Sequence, residues 1–151
     1  MRKQITKIIL TMLALSIIFC GAAIAQNKNE KELKFQRYTP AAFAKAIKAK
    51  QPIMIDFGAD WCPPCVKMKS EVFTDASVIK ASAGITLFKV DLTNDNDKIA
   101  NTAAEKYNVS GIPCLVFIDK KGKEVKNARI EGYVPPKEVI KSFNIIKSNK
   151  K

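Results

Sequence analysis

A small α/β sandwich, with a mixed central β-sheet and helices on both faces, is the fold class this sequence predicts, and three observations predict it. Short apolar runs of strand length alternate with segments of helical period, the pattern that gives parallel strands joined by crossover helices. The last of these runs is followed by Lys120-Lys121-Gly122 and a further strand-like segment, which adds an antiparallel pair. The chain has 151 residues and is 47% hydrophobic, which suits one domain with its own core and excludes disorder as its main state.

The N-terminus stands apart from that domain. Arg2, Lys3 and Lys7 precede an apolar stretch from Ile8 to Ala25 that ends in Ala23-Ile24-Ala25, the form of a secretory signal peptide cleaved before Gln26. The stretch is 18 residues long, enough to span a bilayer, so an uncleaved anchor is the alternative. Cys20 follows the large Phe19, whereas lipidated cysteines want a small residue before them; it reads as a hydrophobe discarded with residues 1–25. Residues 26–32 are polar and read as a flexible lead-in.

The elements then follow in order. Leu33 to Tyr38 alternates loosely, as a short strand does. Thr39-Pro40 is an N-cap followed by proline at the first helical position, and Phe43 and Ile47 give that helix its apolar stripe. Pro52 to Gly58 is a strand buried on both faces. A helix starting near Cys62 is expected to run, bent, to about Ala83, with Ile85 to Asp91 the next buried strand. Asp97 to Tyr107 is a helix with Ile99, Ala103 and Tyr107 on one side, and Cys114 to Asp119 is the third central strand. Glu124 to Gly132 is its pairing strand, and Pro135-Pro136 opens a last helix lined by Val139, Ile140, Phe143 and Ile146.

Charge and composition remove several functions. Lys+Arg number 26 against 14 Asp+Glu, but the lysines are spread along the chain, as on a solvated surface; nucleic-acid binding is a poor reading for an exported protein. Weak attraction to anionic lipid or an acidic partner remains open. There is no histidine, so Ser-His-Asp and Cys-His pairs, His-ligated zinc and His-ligated haem are excluded.

What is left is sulfur chemistry. In Trp61-Cys62-Pro63-Pro64-Cys65, two cysteines three apart sit where a buried strand ends and a helix begins. The unpaired N–H groups and positive dipole end of the helix favour a thiolate at Cys62. Cys65, one turn further in, is expected to be the more buried, leaving Cys62 as the exposed nucleophile. A structural disulfide closing so short a loop stabilises little. A zinc or iron–sulfur site lacks ligands, and a two-thiolate copper(I) site is the one metal alternative. Redox exchange without a cofactor is the favoured reading.

The segment Ile55-Asp56-Phe57-Gly58-Ala59-Asp60-Trp61-Cys62-Pro63-Pro64-Cys65 resembles the active-site segment of thioredoxins, and Gly111-Ile112-Pro113 resembles their cis-proline loop. Ala59-Asp60-Trp61-Cys62, Val72-Phe73-Thr74-Asp75 with Val78, and Val90-Asp91-Leu92-Thr93 resemble, more closely, the C-terminal thioredoxin-like domain of DsbD-type thiol:disulfide interchange proteins. The resemblance implies a thioredoxin fold over 33–148, with Cys62 as attacking thiolate and Cys65 as resolving thiol. It implies that Asp56 is a buried carboxylate with a raised pKa that moves protons for Cys65, the alternative being a strand-end cap. Lys89 would lie near Asp56 rather than being a merely solvated lysine, and Trp61 would shield the disulfide rather than pack in the core. Pro113 would be cis, with the backbone of Ile112 pairing with a substrate strand. Cys114 stands where the family more often has Thr or another small residue; it reads as a small buried hydrophobe, with a third redox thiol as the alternative. DsbD-type proteins also carry a membrane electron conduit and a second exported domain, so a separate membrane-embedded electron donor is expected here. The implied partners are exported proteins bearing disulfides, the implied location the periplasm, and the implied direction reduction, with oxidase or isomerase as alternatives.

Overall fold

The computed structural model describes residues 31–148, so the leader with Cys20, and all of the lead-in but its last two residues, lie outside the described residues. Strand β1 is only Gln36–Arg37. Helix α1, Pro40–Lys48, starts as its sequence requires: the Thr39 hydroxyl oxygen accepts the Ala42 N–H at 3.1 Å, with Pro40 at the first position. Strand β2, Ile53–Gly58, is buried at every residue.

The single bent helix expected after Cys62 is two short helices. Helix α2 is Pro63–Lys67, followed by a π turn over Met68–Val72; helix α3 is Ala76–Ala81. Asp75 separates them. Its carboxylate accepts the N–H groups of Ser77 at 2.8 Å and Val78 at 3.1 Å, and a side chain that caps a new helix cannot continue the old one. Strand β3, Thr86–Asp91, leads to helix α4, Lys98–Lys106, capped by Asp97. The inner face of α4 is Ala100, Ala103 and Tyr107; Ile99 is 41% exposed, one position off the expected stripe. Strand β4 is Cys114–Ile118.

The predicted pairing strand from Glu124 to Gly132 is interrupted. It touches β4 through a single Ile118–Glu124 bridge, turns through a 3₁₀ segment at Lys126–Ala128, and resumes as β5, Ile130–Glu131. The turn before it needs glycine: Gly122 has φ +80°, and a Cβ there would stand 3.3 Å from Ile47 Cδ1. Helix α5, Pro136–Ser148, buries Val139, Ser142, Phe143 and Ile146, with Ile140 half-buried against the same core.

The sheet order is β1-β3-β2-β4-β5, with β1, β3 and β2 parallel. The mixed sheet is as expected, but its antiparallel part begins already at β4 rather than only at the final hairpin. Cys114 pairs with Phe57 and Ile118 with Ile53, so β4 enters beside the C-terminal end of β2. That reversal brings the loop before Cys114 to the end of the sheet where α2 starts. Alternation then sorts the core into two layers. Met54, Leu115 and Phe117 pack under α3 and α5, while Ile55, Phe57, Val116 and Ile118 pack under α1 and α4.

Candidate active site

Strand β2 ends at Gly58, and four residues later Cys62 caps α2. Pro63 and Pro64 fill the first helical positions, where a missing N–H leaves no hydrogen bond unmade. Cys62 and Cys65 are joined by a disulfide, Cα to Cα 5.2 Å, and the Cys65 N–H donates to Cys62 Sγ at 3.2 Å. The helix start therefore directs a backbone donor at the first sulfur, as its sequence position suggests.

The other side of Cys62 is covered by the loop before β4. The Ile112–Pro113 peptide is cis, and Cys62 Sγ lies 3.7 Å from the Ile112 carbonyl oxygen, a contact that a reduced thiol can turn into a hydrogen bond. This covering reverses the expected order of exposure. Cys62 is only 3% exposed, whereas Cys65 is half-buried and borders a cleft of about 230 Å³ lined also by Leu33, Phe35, Phe73, Asp56 and Lys89. The cause is tertiary: the loop closes over the first sulfur, while the segment before β1 leaves space beside the second. Trp61 is 63% exposed, so it does not pack in the core.

Asp56 is 4% exposed on the layer of Met54, facing the helices that follow the disulfide. Loss of hydration raises its carboxyl from an ordinary 3.8 to about 6, opposed by Lys89 and reinforced by Asp91. Lys89 is its partner across the β2–β3 register, with Nζ 3.6 Å from Oδ2. Gly58 completes this arrangement, and the sequence reading gave it no role. A Cβ there would stand 3.5 Å from Cys65 Sγ and 3.8 Å from Asp56 Oδ1, so its absence leaves the space between sulfur and carboxylate open. Two residues after Asp56 on the same strand face is the signal that could have pointed to it.

Cys114 is separate. It is 1% exposed in the opposite layer with Phe57 and Tyr107, and burial pushes its thiol up to about 11. It packs as an apolar residue and stays protonated at neutral pH. Among the described residues, no group of three or more His, Cys, Asp or Glu is arranged to hold a metal ion.

Two bonded cysteines with two residues between them, at the first turn of a helix on this mixed sheet, define a redox disulfide protein of the α/β class. Residues 39–146 match the family described as a thioredoxin-like domain, and the chain belongs to that family. It is 30% identical over 118 residues to the thiol:disulfide interchange protein DsbD of Pasteurella multocida, covering 76% of this chain and 20% of that protein. To the DsbD of Pectobacterium atrosepticum it is 36% identical over 87 residues, 58% of this chain and 15% of that protein. The chain thus spans about a fifth or less of the length of these relatives. Among solved structures, the C-terminal domain of Neisseria meningitidis DsbD in the oxidised form superposes with a TM-score of 0.61 at 22% identity, over 75% of this chain and 99% of that one. A thioredoxin from Thermus thermophilus gives a TM-score of 0.64 at 28% identity, over 78% and 88%. The resemblance read from the sequence, to thioredoxins and to the DsbD C-terminal domain, is borne out.

Proposed function

We propose that this protein is an exported thiol–disulfide oxidoreductase that reduces disulfides of periplasmic proteins through the Cys62–Cys65 dithiol. The observation that carries the reading is the disulfide itself, held between a helix start, the Ile112–Pro113 loop and the buried Asp56. In the reduced protein, the Cys62 thiolate attacks a client disulfide. A Cys62–client S–S bond forms, the client bond breaks, and the client's other sulfur leaves as a thiolate that takes a proton from water. Cys65 then passes its proton to Asp56 and attacks Cys62 Sγ, closing the Cys62–Cys65 disulfide and expelling the second client sulfur. Two electrons have moved to the client. A carboxyl near pH 6 suits the proton transfer: it is mostly ionised at pH 7 yet more basic than an ordinary aspartate.

A dithiol donor must return those two electrons, and a membrane-embedded one is the reading the DsbD similarity supports. The same similarity and the leader pattern of residues 1–25 support periplasmic location with a cleaved signal. Clients are other exported proteins bearing disulfides. The assay is reduction of insulin with dithiothreitol as donor. Wild type should accelerate it, and Cys62→Ser should abolish the acceleration; an inert wild type ends the reading. A Cys65→Ala variant should accumulate a mixed disulfide between Cys62 and its client, which mass spectrometry identifies. Loss of exchange in Cys62→Ser, with no copper held by the wild type, ends the copper(I) alternative.

A further inference from the structure

Arg129 lies outside the motif, yet its side chain is only 11% exposed and every arm of its guanidinium is engaged. Nε donates to Glu131 Oε1 at 2.9 Å and Nη1 to Glu124 Oε1 at 2.8 Å. Nη2 donates to the backbone carbonyls of Tyr107 at 3.0 Å and Asn108 at 3.2 Å. Those two carbonyls end α4; Tyr107 is its C-cap, and Asn108 follows with φ +49°. They also begin the stretch 107–113 that leads to Ile112 and Pro113.

The far end of that stretch is tied to the same guanidinium. Glu131 pairs with Cys114 in the β4–β5 ladder, and the Gly132 N–H donates to the Pro113 carbonyl at 2.8 Å. One planar group thus holds the helix end where the loop departs and the strand against which it lands. Between these anchors the loop carries the Ile112 carbonyl to 3.7 Å from Cys62 Sγ. A lysine could keep the charge but not the fork, because a single ammonium lacks the fixed planar geometry that reaches two carboxylates and two carbonyls at once.

We propose that Arg129 is a positioning residue for client recognition: it holds the Ile112–Pro113 loop at the spacing a client backbone needs beside Cys62. The proposal rests on the reading of that loop as the client-binding face. A small disulfide reagent needs only the sulfur, whereas a protein disulfide also needs the loop, and this difference separates positioning from general loosening.

The test compares wild type and Arg129→Lys on insulin and on the small disulfide 5,5′-dithiobis(2-nitrobenzoate). The expected result is a KM for insulin raised about fivefold, kcat within about twofold, and an unchanged rate with the small reagent. An unchanged insulin KM overturns the proposal, and so does a parallel fall with both substrates. Glu131→Ala, which removes the acceptor of only one arm at a 64% exposed residue, should give the same split at about twofold; equal constants there overturn it too, even if Arg129→Lys fails to fold. Amide hydrogen exchange provides an arm that uses no activity. Protection of the Val109 amide, which donates to the Ala104 carbonyl at 2.9 Å where the loop leaves α4, should fall about tenfold in Arg129→Lys while that of β2 is kept. Unchanged protection at Val109 overturns the proposal, whereas an inert wild type overturns only the reductase reading.

Discussion

At 4% exposure Asp56 loses most of its hydration, and Lys89, 3.6 Å away, does not fully restore it. Its folded carboxyl near 6 lies above the ordinary 3.8, so the folded protein binds the proton more tightly than the unfolded chain. The stability this proton contributes is therefore fully present below about pH 4 and is lost as pH rises through about 6. A rise from 3.8 to about 6 corresponds to about 3 kcal/mol as an upper bound. Asp56→Asn should accordingly stabilise the protein at pH 8 by about 2 kcal/mol relative to wild type, and the gain should vanish near pH 4. Urea unfolding at both pH values measures it; an equal or greater gain at pH 4 contradicts the assignment. The same variant should slow insulin reduction, since Cys65 loses its proton acceptor. The placement of Cys62, Cys65 and Asp56 was legible because they sit at fixed offsets in Ile55–Cys65, and that of the cis Pro113 because it stands in a second short segment, Gly111-Ile112-Pro113. The order of exposure of the two sulfurs was not, because it depends on which distant segments close over each, and no local spacing encodes that.

Elements were legible where a local rule decides them. Thr39-Pro40 starts α1, and Pro135-Pro136 stands at the start of α5. They were misjudged where a side chain redirects the backbone. Asp75 is the clearest case: its carboxylate accepts from the Ser77 hydroxyl, Val78 N–H and Ser77 N–H, which holds its pKa below the ordinary carboxylate value. The pattern from Cys62 to Ala83 is apolar enough for one helix, but the cap splits it. Asp75→Ala should cost about 1 kcal/mol, the usual worth of an N-cap, with the site geometry preserved because α2 and the π turn are held by their own backbone bonds. Thermal unfolding together with insulin reduction checks this: a lowered midpoint with normal activity is the expected pair. Likewise the segment Glu124 to Gly132 reads as one pairing strand after the Lys120-Lys121-Gly122 turn, yet the 3₁₀ turn at Lys126–Ala128 breaks it. That break lies beside Arg129, whose partners are the two carbonyls just after α4, Glu124 before the turn and Glu131 of β5, and a network spanning 107 to 131 leaves no periodic trace.

At the scale of the molecule, the antiparallel entry of β4 decides where chemistry can occur. Had β4 run parallel to β2, the 107–113 stretch would have approached the opposite end of the sheet, and Cys62 would face solvent. Instead the disulfide is enclosed between α2 and a loop that offers a carbonyl oxygen. This enclosure bears on the direction of electron flow, which follows from how well the reduced form is stabilised. Strong oxidants hold their thiolate with a charged or donor residue between the cysteines; Pro63 and Pro64 supply neither a charge nor an N–H. The Cys65 N–H at 3.2 Å is a single backbone donor, and the Ile112 oxygen at 3.7 Å opposes an anion. With the thiolate so modestly supported, the couple should lie near about −270 mV rather than about −120 mV, a gap of on the order of 7 kcal/mol for two electrons. Equilibration against glutathione or dithiothreitol buffers, followed by alkylation and mass measurement, gives the value. A potential above about −150 mV would mean that the reduced form is held by interactions absent from this enclosure, and the protein would then work as an oxidant toward its clients.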